Sequence, residues 1–150
     1  MTRLSAPHSD GFDLQRFVDA QQPLYQSVLS ELAQGRKRTH WIWFIFPQVA
    51  GLGASSMAQH YAVKSRAEAE AYLAHPILGV RLLECTETVL HHSSRTAHEI
   101  FGSPDDLKFR SSLTLFDLAG GGPSFSEGLR LFYGGERDPA TVSIFSNWKS

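Results

Sequence analysis

Apolar residues recur three and four positions apart along almost the whole chain, in short runs opened by a capping residue or proline and closed by glycine. That period places them on one face of a helix, whereas a half-buried strand needs strict alternation. Leu14, Phe17 and Val18 make the first such face, with Asp13 as its expected cap. Leu24, Val28, Leu29 and Leu32 follow Pro23 and stop at Gly35. Arg36, Lys37 and Arg38 then complement the dipole at that helix end. Thr39 is placed to cap a short helix over 40–46, with a buried strand as the alternative, and Pro47 ends it. Ser55 or Ser56 opens a helix over 57–63, and Ser65 with Glu68 reads as a capping box for 66–74. Pro76 starts a helix running to about His91, and Ser94 or Thr96 opens a segment closed by Gly102. Ser103-Pro104-Asp105-Asp106 combines a cap, a first-turn proline and two acids at the positive dipole end, heading a helix that runs to Gly120. Ser124 and Asp138-Pro139 open the last two. No convincing alternating strand or internal repeat interrupts the pattern. The expected fold class is all-α: a single compact domain over 12–150 with roughly seven to nine short, irregularly packed helices, after a flexible N-terminal tail, 1–11.

A chain of 150 residues suits one domain and buries roughly two-thirds of its unfolded surface, enough for a core without staples. Hydrophobic content of 42% and charged content of 19% are those of a folded chain. The formal net charge of -1 argues against a nucleic-acid partner. Cys85 is the lone cysteine, so no internal disulfide forms, and its apolar surroundings predict a buried, inert thiol. The stretch MTRLSAPHSD lacks the apolar core of a secretory signal, and the apolar run 41–47 is too short to span a bilayer. The expected location is the cytoplasm, with no membrane partner.

Metal and phosphate motifs are missing. His98-Glu99 lacks a second histidine four residues on, and His91 and His92 point about 100° apart on a helix. The AGLG and GGGP stretches do not continue into the lysine and hydroxyl of a phosphate loop. No metal and no cofactor are expected. Two segments carry the unusual chemistry. In 40–48, aromatic side chains alternate with His40, Gln48 and indole nitrogens that need partners if buried, as in a pocket wall where Trp43 and Phe46 stack on a ligand. In 105–117, Lys108, Ser111 and Ser112 share a helix face. There Lys108 and Arg110 suit an anion and Ser111 can donate to it, although an Asp106–Arg110 surface pair is the plainer use of the arginine. Tyr61 and Ser65 form a weaker third set, close enough in the chain to fold back over the aromatic run.

The strings HWIWFIFPQVAGLG, YAVKS, EAEAYLAHPILGVRLLEC and IFGSPDDLKFRSSLTLF resemble the bacterial domain-of-unknown-function 1810 family, over roughly Phe12 to Trp148. Members sometimes carry a calpastatin-like label. The resemblance implies a compact, mainly helical domain and supplies no catalytic residues. A looser likeness, in general character only, is to the helical NADAR proteins, which act on ADP-ribose-linked N-glycosides.

The expectation is a pocket between 41–48 and the 105–117 helix that binds a small polar or phosphorylated ligand, such as a nucleotide or ADP-ribose derivative. Hydrolysis of that ligand would use Asp105 or Asp117 as acid–base, with His40 as the second group. The rival expectation is a non-enzymatic module for protein–protein interaction or self-association, as monomer or homodimer.

Overall fold

A computed structural model describes residues 11–148, so nearly all of the expected tail lies outside the described residues. Ten helices follow one another among them: α1 (Gln15–Gln21), α2 (Tyr25–Ala33), α3 (Ile42–Ile45), α4 (Ser56–His60), α5 (Arg66–Ala74), α6 (Leu78–Leu90), α7 (Ala97–Phe101), α8 (Asp105–Leu118), α9 (Pro123–Tyr133) and α10 (Pro139–Asn147). The described chain is thus all-α, with one to three more helices than the seven to nine that its punctuation predicted. No helix among the described residues is long and apolar enough to cross a membrane.

Two helices organise the rest. α8 packs against α7, α9 and α10 and buries Phe109, Leu113, Leu115 and Phe116. α6 packs against α2, α5 and α9 and buries Leu78, Leu82, Cys85 and Val89. The aromatic run is driven between them. Trp41, Ile42, Phe44, Ile45 and Phe46 are each at most 4% exposed, and the Phe46 ring lies 4.8 Å from Phe109 and 6.0 Å from Phe101. Burial of such large apolar surface is the main drive to collapse. Phe46 is therefore core, with no free face for a ligand.

Caps explain most of the boundaries. Ser55, Ser65, Thr96 and Asp138 each accept the N–H three residues on, and Thr96 with Glu99 forms the complete capping box. At Ser65 the box is incomplete, because the Glu68 carboxylate reaches back to the Lys64 N–H and pairs with Arg16. Gly35 closes α2: with φ of +72° it turns the chain so that its own N–H meets Leu32 O and the Arg36 N–H meets Glu31 O. Four expected caps do not form. Leu14 rather than Asp13 precedes α1, Pro104 rather than Ser103 precedes α8, the Thr39 hydroxyl donates to Glu31, and the Ser124 hydroxyl donates to Glu87. Nor does Lys37 stay solvated at a helix end. It lies 2.7 Å from Asp105 and over the Trp41 ring, joining the end of α2 to the start of α8.

A single parallel bridge, Val49 to Val63, pins the two ends of the segment that carries α4. Ala50 N–H donates to Val63 O and Val63 N–H to Gln48 O, at 2.8 and 2.9 Å. This bridge takes the residues expected to extend α4 to 63, so the helix stops at His60. The loop 50–55 is thereby held against the first turns of α8.

Candidate functional site

Pro104, Leu107, Lys108 and Ser111 fall on one side of the first turns of α8, opposite the core residues Phe109 and Leu113. They face the glycine loop after Gln48 and the start of α10. Between these three elements lies an open cleft of about 340 Å³, within the size range of small-ligand sites. Apolar contact comes from Leu52, Pro104 and Leu107, the last of them 57% exposed.

Three polar groups converge on the cleft. The half-buried Gln48 side-chain amide has no hydrogen bond among the described residues. The Lys108 ammonium sits 3.4 Å from Asp105 and 5.2 Å from the Trp43 ring centre. Asp105 also binds Lys37, so two lysines share one carboxylate and leave a unit of positive charge beside the cleft. Asp138 contributes the third group. Its Oδ2 accepts from the Thr141 N–H, the Thr141 hydroxyl and the Ser111 hydroxyl, while Oδ1 has no hydrogen bond among the described residues. The arrangement offers an amide, a carboxylate oxygen and a cation above an apolar floor. It suits a ligand with an apolar body and several polar substituents.

Of the residues expected from sequence, Gln48, Lys108 and Ser111 line this one cleft. Ser111 is not free to donate, because its single proton is directed to Leu107 O at 3.1 Å and Asp138 at 3.3 Å. Trp43 stands behind Lys108 as a cation–π partner, and its indole N–H is buried without a partner among the described residues. The others lie elsewhere. Arg110 donates to the carbonyls of Glu136 and Arg137, tying α8 to the loop before α10, and does not pair with Asp106. Asp106 faces His98 instead, at 3.5 Å. Asp105 is the shared counter-ion and Asp117 pairs with Arg137, so neither carboxylate is placed as the acid–base group of the cleft. His40 is exposed and outside the cleft lining. Tyr61 packs on Phe17 and Phe44, and Ser65 caps α5. Sequence reasoning missed Asp138, Leu52 and Leu107 as cleft residues. Asp138-Pro139 was visible only as a helix start, and nothing local in Asp138 reports that Ser111 will stand beside it.

These features define a single-domain, all-α protein with a small polar cleft between its longest described helix and a glycine loop. The chain belongs to the family described as "Protein of unknown function (DUF1810)", whose model matches residues 11–145. It is similar to the conserved hypothetical protein Rv1873 from Mycobacterium tuberculosis, known from a crystal structure. Identity is 51% and the TM-score 0.89, over 91% of this chain and 99% of that one. No curated protein matches the chain.

Proposed function

We propose that the cleft between α8, the 50–55 loop and α10 binds a small polar or phosphorylated ligand, a nucleotide or ADP-ribose derivative being the first class to test. One observation carries the reading: Gln48, Lys108 and Asp138 bring an unsatisfied amide, a cation and a free carboxylate oxygen to one concave site with an apolar floor. Such convergence is what separates a ligand site from a crevice between packed helices. If the ligand is hydrolysed, Asp138 is the acid–base group, because its Oδ1 alone among the carboxylate oxygens lining the cleft is unengaged. The reading goes with a cytoplasmic protein, monomeric or homodimeric, that has no nucleic-acid partner.

Thermal unfolding of the purified chain against nucleotides, ADP-ribose derivatives and sugar phosphates tests it. A ligand at a hundred times its dissociation constant adds about 2.7 kcal/mol to the unfolding free energy. That gain is expected to shrink in Lys108→Ala and Gln48→Ala and to persist in Arg110→Ala. A full panel without a shift would turn the argument to the rival reading, an interaction module. That rival has its own supporting observation: Ile77, just before α6, and Val80 and Leu83 on it are 38%, 63% and 39% exposed.

A further inference from the structure

Beside the main cleft lies a second, smaller one of about 210 Å³, formed by the 49–53 loop, α4 and the chain returning to α5. Its wall is small and apolar: Val49, Ala58 and Ala62. None of the residues that line it is acidic, and Lys64 is its one charged side chain. Lys64 is exposed and has no ion pair among the described residues, while its backbone N–H is anchored by Glu68 at 2.8 Å. The backbone is therefore fixed at Lys64, and its ammonium has no ion-pair partner among the described residues.

The loop supplies donors. The amide N–H groups of Gly51, Gly53 and Ala54 have no hydrogen-bond partner among the described residues, and Gly51 and Gly53 line the small cleft. Backbone amides left unpaired in a loop are natural anion donors. The loop conformation is set independently of any ligand. A Cβ on Gly53 would lie 2.6 Å from the Ala58 Cβ, so only glycine permits this approach to α4. The far wall is rigid as well. Arg16 donates to the carbonyls of His60 and Ala62 and to the Glu68 carboxylate, at 2.8, 3.1 and 3.0 Å.

The two clefts differ in charge. The larger holds Asp138, and its Lys108 already shares Asp105 with Lys37. A dianion is repelled by the first and only partly served by the second. The smaller cleft presents an ammonium without an ion-pair partner and free amides with no opposing carboxylate. We infer that the smaller cleft is an oxyanion subsite, in which Lys64 and the loop amides of Gly51 and Gly53 take a phosphate group. Gln48 and Gly53 line both clefts, so a phosphate monoester seated on Lys64 extends its remaining body past Gln48 onto Leu52, Leu107 and Pro104. The phosphate subsite stands on its own observations. The placement of the rest of the ligand rests on the reading of the larger cleft.

Amide NMR spectra of the full chain separate the two. Inorganic phosphate and a nucleoside monophosphate are titrated separately at millimolar concentration, with sodium chloride of matched ionic strength as control. Both phosphates, and not chloride, are expected to move the Gly51 and Gly53 amides. Lys64→Ala and Lys64→Gln are expected to weaken both titrations about tenfold, the loss of one charge-assisted contact. Lys108→Ala is expected to leave inorganic phosphate unaffected and to weaken only the nucleotide. Equal shifts with chloride, unmoved glycine amides, or an unchanged titration in the Lys64 variants would each overturn the subsite. If the nucleotide still moves Gln48 and Lys108 in those cases, the larger cleft stands without it. If phosphate moves the glycines and the nucleotide leaves Gln48 unmoved, the subsite stands and the larger-cleft reading falls.

Discussion

Glu31 is 8% exposed, and four neutral donors hold its carboxylate: the backbone N–H groups of Arg38 and Thr39, the Thr39 hydroxyl and the Trp41 indole. Burial pushes its pKa up, but the hydrogen bonds from Thr39, Arg38 and Trp41 outweigh it, and the net displacement is downward from 4.5. Acid therefore protonates the unfolded chain before the folded one. This contribution to stability is fully present above about 4.5 and is lost as the pH falls through the lower folded value. Glu31→Ala strands four donors and is expected to cost about 3 kcal/mol, whereas Glu31→Gln keeps an acceptor and costs about 1 kcal/mol. Urea midpoints between about pH 3 and pH 7 are expected to fall less steeply with acid in the glutamine variant. An acid limb identical to that of the parent would show that Glu31 carries no such linkage. None of this was legible beforehand: Thr39 looked like a helix cap, and its hydroxyl serves a carboxylate eight residues back.

At the scale of the element, α8 is unusual in burying hydroxyls: Ser111, Ser112 and Thr114 are each at most 5% exposed. Two of them build the joint with α10. The Thr114 hydroxyl donates to Arg110 O and accepts from the Asp138 N–H, and Ser111 donates to the Asp138 carboxylate. Asp138 thus caps α10 and lines the cleft at once, and two substitutions separate these roles. Asp138→Ala loses the cap and is expected to lower stability by about 1–2 kcal/mol, while Asp138→Asn retains an acceptor and is expected to stay within about 0.5 kcal/mol of the parent. Against a ligand that the parent hydrolyses, both variants are expected to be equally inactive. Full activity in the asparagine variant would remove Asp138 from the chemistry. The caps at Ser55, Ser65, Thr96 and Asp138 could be read from the chain because each needs only the N–H three residues on. The partners of Lys108 and Arg110 could not. Two positions apart on one helix, they diverge by about 200°, one toward the loop after Gln48 and the other toward the loop before α10.

Over the whole molecule, Cys85 reports on the packing. Its thiol is fully buried on α6, and burial pushes its pKa up to about 12, so almost no thiolate exists at neutral pH. The native chain is expected to resist alkylation at neutral pH, with labelling that appears only as urea unfolds it and follows the global transition. Rapid labelling without denaturant would mean that α6 opens locally, and would contradict a continuous core. That core was partly foreseeable. The three-and-four spacing, the caps and the glycine stops are local rules, each satisfied within one or two helical turns, and they set the helical class and most boundaries. They are silent on partners far apart in the chain. Folding alone decided that Phe46 is walled in by Phe101 and Phe109, and that Trp43 lies beneath Lys108. It also decided that Asp105 joins Lys37 and that Asp138 meets Ser111, so that the free carboxylate of the cleft is neither of the two expected. Helical periodicity specifies which face is apolar. Which other face it meets is set by how ten short helices share one core, and there distance along the chain carries no weight.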